Sequence, residues 1–81
     1  MRNGVAISRA DVAVSSYLKQ LRLSRGLSQN ALAERLGESQ SFISKYENAQ
    51  RKLTIIEFVH VVRALDAVPS EVISEMDERI I

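Results

Sequence analysis

Apolar residues return along this chain in short helical registers cut apart by polar breaks. Val14, Leu18 and Leu21 recur at helical spacing and predict a helix covering at least 17–25. Ser8 with Asp11 three residues on resembles a capping box with Asp in place of Glu, so the helix begins near Arg9 or later, near Ser15. Gly26 ends it. Leu32 and Leu36, with Ala33 beside them, mark a second helix over 28–36. Gly37 then supplies a residue free to take positive φ. Ser39 is an N-cap candidate for a third helix over 40–48, where Phe42, Ile43 and Tyr46 fall at core spacing. Thr54-x-x-Glu57 is a full capping box and opens a fourth helix over 55–65. Its stripe reads Ile55, Phe58, Val59, Val62 and Leu65, with His60, Arg63 and Ala64 nearer the opposite side. Pro69 suits the first turn of a fifth helix, 70–79, which presents Val72, Ile73, Met76 and Ile80. No stretch alternates like a strand and nothing repeats. The expected class is all-α, five helices in one domain over 1–81, with 1–7 a flexible tail.

The stretch 27–48 organises the rest. Two short helices joined by a tight turn can cross steeply only if a small residue sits where they meet, and Ala33 is in that place. The core spacing of the second of these helices leaves Gln40, Ser41, Ser44, Lys45 and Asn48 facing outward. This is the helix-turn-helix pattern, whose second helix has the right size for a DNA major groove.

Composition narrows the alternatives. The chain has no Cys and one His, which rules out a disulfide framework or thiolate metal site and leaves His60 without partners for a metal or catalytic cluster. No acid pair has catalytic spacing, so neither an enzyme nor a cofactor is expected. No apolar run approaches the roughly 20 residues that span a bilayer, and the N-terminus lacks the apolar core of a secretory signal. A soluble cytoplasmic protein is expected. The net charge of +1 hides an asymmetry: residues 1–53 hold nine Lys/Arg against four acids, and residues 54–81 hold two against six. A basic half joined to an acidic half suits a protein with one side toward phosphate. Arg2 and Arg9 could extend that side as a basic arm.

Residues 18–65 resemble the Cro/cI-type helix-turn-helix family of phage and bacterial repressors. The residues that carry the likeness are Leu18-Lys19-Gln20-Leu21-Arg22, Arg25-Gly26-Leu27-Ser28-Gln29, Leu32-Ala33, Leu36-Gly37, Ser39-Gln40-Ser41 and Ile43-Ser44-Lys45-Tyr46-Glu47-Asn48, then Arg51, Leu53 and Ala64-Leu65. The resemblance implies a compact lambda-repressor-like domain that binds duplex DNA as a dimer. By that likeness Gln40, Ser41, Ser44 and Lys45 are the base-reading positions, and Ser28, Gln29, Asn30, Asn48, Arg51 and Lys52 the phosphate contacts. Gln29 would also steady Gln40. Arg22 and Glu47 correspond to a buried ion pair that fixes the third helix. Two departures stand out. Ala49 occupies a position where the family usually has Gly, and would be strained by roughly 1 kcal/mol at positive φ. Glu38 replaces an apolar residue after the turn glycine and is expected off the DNA surface.

The expected activity is sequence-specific transcriptional regulation, with repression at an inverted-repeat operator. The other reading is a protein-binding module such as the antitoxin of a toxin–antitoxin pair. Met76, Ile80 and Ile81 exceed what a short terminal helix can bury, so they either meet a dimer partner or cover the domain's own lower face. The length leaves no room for a separate small-molecule domain, so control is expected from concentration, proteolysis or a protein partner.

Overall fold

A computed structural model describes residues 8–80; the tail over 1–7 and Ile81 lie outside the described residues. Five helices follow one another: α1 (Arg9–Ser24), α2 (Gln29–Leu36), α3 (Gln40–Glu47), α4 (Ile55–Ala64) and α5 (Pro69–Arg79). There is no strand among the described residues. None of these helices is long and apolar enough to cross a membrane.

Side chains fix where the helices start. Ser8 Oγ accepts from the Asp11 amide at 3.1 Å while Asp11 accepts from the Ser8 amide at 2.8 Å. That reciprocal pair resolves the earlier alternative, and α1 begins at Arg9. Thr54 and Glu57 repeat the box at α4, with bonds of 3.1 and 2.9 Å. Ser28 and Ser39 cap α2 and α3 from their hydroxyls. Helix α5 has no side-chain cap and starts on Pro69, whose missing N–H is one of the amides a helix start leaves free anyway.

Four helices end the same way, each with a residue at positive φ: Gly26 (70°), Gly37 (69°), Ala49 (58°) and Asp66 (59°). After each, an amide reaches back five residues to a last-turn carbonyl, as in Leu27 N–H to Arg22 O and Gln50 N–H to Lys45 O. This is the Schellman closure. Glycine takes it without strain; Ala49 does not, so the departure read from the sequence is a real backbone cost of about 1 kcal/mol.

Leu18, Leu32, Ile43, Tyr46, Val62 and Leu65 are fully buried, and Ala33 is 3% exposed. The α4 stripe needs one correction. Ile55 is 65% exposed, whereas Val61, absent from the expected stripe, is 1% exposed. Ile55 shares the helical period but sits in the first turn, where it borders a surface cleft instead of the core. Ala64, expected toward the opposite side, is half-buried against the core. On α5, Val72 and Met76 are buried while Ile73 stays 45% exposed. Met76 is therefore a core residue of its own chain, with little surface left for a partner. Ile80 packs partly on that core.

Candidate nucleic-acid interface

Helix α3 is held by a continuous polar relay that begins in α1. Arg22 donates from Nε and Nη2 to the two Glu47 carboxylate oxygens at 2.7 and 3.0 Å, and from Nη1 to the Leu27 carbonyl. Both side chains are buried, at 6% and 1% exposure. The carboxylate holds the Arg22 guanidinium above even its usual basic range. Glu47 also accepts from Gln29 Nε2 at 3.0 Å, and Gln29 Oε1 accepts from Gln40 Nε2 at 2.6 Å. One chain of bonds thus runs from α1 through α3 and α2 back to the first residue of α3. A buried bidentate pair of this kind fixes geometry more than it adds stability, and removing one partner strands a charge.

Under the relay, α3 is anchored by apolar contacts. Ile43 and Tyr46 are fully buried, and Phe42 meets Tyr46 edge-on at 5.7 Å between ring centroids. Phe42, expected as plain core, is half-buried, and the Arg51 guanidinium lies 4.7 Å over its ring. Burial, then the Glu47 charge, pushes the Tyr46 phenol well above its ordinary range.

The sequence-predicted contacts fall into three groups. Gln40, Ser41 and Lys45 are exposed on α3, and Lys45 has no ionic partner among the described residues. Ser44 is half-buried, and its hydroxyl accepts from Asn48 Nδ2 at 3.3 Å, so these two are joined to each other. At the start of α2, the Ser28 hydroxyl is occupied as the cap and the Gln29 side chain is occupied by the relay. What remains there is the first-turn backbone of Gln29 and Asn30, whose amides have no intrahelical carbonyl to bond. Such a turn suits an anion.

The third group lies in the loop after α3. Arg51 makes two bonds to the Glu57 carboxylate, at 2.8 and 2.7 Å. Arg51, joined by the Thr54 amide, lowers the Glu57 pKa to about 2. Lys52 Nζ lies 3.1 Å from Asp11 Oδ2. The Ser8 amide and Lys52 hold that carboxyl below its ordinary range. Both cations brace the loop against the starts of α4 and α1. The basic half is engaged within the chain elsewhere too: Arg25 donates to the Leu65 carbonyl and Arg35 to the Ala64 carbonyl, each at 2.8 Å, at the negative end of α4. Charge counting in the sequence missed this. Glu38 is exposed and near enough to Arg51 to raise its pKa slightly further, after the larger effect of Glu57.

Comparison with known proteins fits this geometry. A helix-turn-helix family model matches residues 18–73. An uncharacterised HTH-type transcriptional regulator, y4dJ of Sinorhizobium fredii, is 32% identical over 65 residues, covering 80% of this chain and 84% of that protein. Among solved structures, an XRE-family-like protein from Pseudomonas syringae pv. tomato superposes with a TM-score of 0.81 at 38% identity, covering 85% of this chain and 84% of that one. The restriction-modification controller protein C.AhdI from Aeromonas hydrophila superposes with a TM-score of 0.70 at 33% identity, covering 74% and 91%. With more than half its length matched by the family model and its helix pair braced as described, the chain belongs to the Cro/cI-type helix-turn-helix family, whose members are DNA-binding regulators of transcription and not enzymes.

Proposed function

We propose that this protein is a cytoplasmic repressor that binds an inverted-repeat operator as a homodimer, with α3 in the major groove. The observation that carries the reading is the relay from Arg22 to Gln40, which presents an exposed polar helix face in one fixed orientation. Gln40, Ser41, Ser44 and Lys45 are the side chains that reach base edges. Gln40 uses one amide proton on Gln29, which keeps its carbonyl oxygen and second proton for adenine N6 and N7. Lys45 suits guanine O6 and N7.

Phosphate contacts come first from the α2 start at Ser28, Gln29 and Asn30, where backbone amides do the binding, and then from Asn48. Arg51 and Lys52 join them by sharing donors that Glu57 and Asp11 do not fully occupy. These contacts set register and carry most of the salt dependence, while the α3 face sets sequence. Likeness to a restriction-modification controller protein supports a regulatory role.

Selection of bound duplexes from a random pool tests the reading. Inverted repeats are expected among the winners. Gln40→Ala and Lys45→Ala should each relax preference at one or two positions per half-site, costing about 1–3 kcal/mol of discrimination there. An unchanged base profile in both variants would refute the assignment of α3 as the reading helix.

A further inference from the structure

We propose that Glu57 and Asp11 are specificity determinants of DNA binding. Each holds one cation of the loop between α3 and α4, so that Arg51 and Lys52 serve a duplex seated on α3 and lend little to unrelated ones. The proposal rests on the DNA reading above and adds to it two carboxylates that make no DNA contact of their own.

From Arg22 to Lys52 the chain has six basic residues. Five have acceptors within it: Arg22 on Glu47, Arg25 on the Leu65 carbonyl, Arg35 on the Ala64 carbonyl, Arg51 on Glu57 and Lys52 on Asp11. The sixth, Lys45, is exposed on the base-reading helix with no ionic partner among the described residues. Binding to DNA of any sequence comes almost wholly from cations that neutralise phosphates. A cation already neutralised by a carboxylate beside it adds little to that attraction. The basic surplus of the first half therefore overstates its pull on duplexes at large.

Arg51 is held from two sides. Glu57 takes two of its bonds, at 2.8 and 2.7 Å, and the guanidinium lies 4.7 Å over the Phe42 ring of α3. It cannot swing out toward a phosphate without breaking these contacts. A guanidinium carries several N–H donors, however, so Arg51 keeps some for a phosphate that α3 itself brings within reach. Lys52 is placed alike, with its Nζ 3.1 Å from Asp11 and further donors left over. A matching groove that seats α3 fully meets that condition, and loose contact with an unrelated duplex does not. The two carboxylates are also the capping-box acids of α4 and α1. Helix starts therefore set their positions, and the cations come to them.

Binding of the whole chain to its selected operator and to an unrelated duplex of equal length, each across a salt series, tests this. The variants are Glu57→Gln and Asp11→Asn, whose amide oxygens still accept at the helix caps. Glu75→Gln is the control, since it removes the same charge and releases Arg79 on α5. Circular dichroism checks that each variant keeps its helices. Glu57→Gln should bind the unrelated duplex roughly five- to tenfold more tightly at about 0.1 M salt, with the slope of log K against log salt steeper by up to about 0.9. The gain on the operator should be smaller, so that discrimination between the two duplexes falls. Asp11→Asn should act in the same direction and more weakly, and the control should change neither duplex. With Arg51→Gln already in place, Glu57→Gln should have no effect. Unrelated-duplex binding that is unchanged or weaker in both folded variants would overturn the proposal. So would equal gains on the two duplexes, or a gain that survives the loss of Arg51. A chain that binds duplexes but prefers none would instead count against α3 as the reading helix, and the unrelated duplex would still decide whether Glu57 restrains Arg51.

Discussion

The α2–α3 pair and the α4–α5 face solve opposite problems with opposite chemistry. Around α3, much of the polar chemistry is tied down: Arg22, Glu47, Gln29 and Gln40 form one relay, and Asn48 holds Ser44, while Ser41 and Lys45 have no partner among the described residues. The first turn of α4 and the outer side of α5 instead carry isoleucines that touch little of their own chain. A surface that reads hydrogen-bond patterns needs its groups preset, because a misaligned donor discriminates nothing. The polar side chains at α3 are held in place by one another, whereas the isoleucines of α4 and α5 are held by little.

The sharpest way to break that contrast is to cut the relay. Arg22→Met should destabilise the fold by about 3–5 kcal/mol by leaving the Glu47 carboxylate buried without its cation. Urea denaturation measures this. Ile56→Glu, on the other face, should leave the denaturation midpoint nearly unchanged. Equal losses in the two variants would mean that Ile56 is part of the core after all.

Acid titration probes the loop that joins the two regions. Glu57 has its pKa lowered from 4.5 to about 2, chiefly by Arg51, so its contribution is present above about pH 4.5 and lost as the pH falls toward 2. Asp11, lowered by Ser8 and Lys52, has the same sign. Stability should therefore fall through that window, and Glu57→Gln should flatten part of the fall. An acid limb as steep in the variant as in the unaltered chain would show that the Arg51–Glu57 bridge contributes nothing there.

The smallest effect sharpens the description of the α3 terminus. Ala49→Gly removes the strain of an alanine at φ 58° and should stabilise the chain by up to about 1 kcal/mol, less what glycine adds to the freedom of the unfolded state. A thermal midpoint that drops would show that the alanine methyl makes contacts worth more than the strain.

Capping and periodicity are local, so the sequence determined all five helices nearly to their ends. Ser8 with Asp11, Ser39, Thr54 with Glu57, and Pro69 each act within a turn of their own position and need no distant partner. The same is true of the polar face of α3, which follows from the spacing of Phe42, Ile43 and Tyr46. Tertiary structure decided the rest. Periodicity assigns a residue to a side of a helix but not to a depth, so Ile55 read as core while Val61 did not. Charge counting places Arg25, Arg35, Arg51 and Lys52 in a basic half. Only folding brought the Leu65 and Ala64 carbonyls, Glu57 and Asp11 up against them and gave them partners within the chain. The family resemblance implied two parts of the relay, the Arg22–Glu47 pair and Gln29 against Gln40, but the bond from Gln29 to Glu47 that joins them had no local signal and depends on the crossing of three helices. Which polar groups find each other depends on distances through space, and those are fixed by how the apolar faces pack.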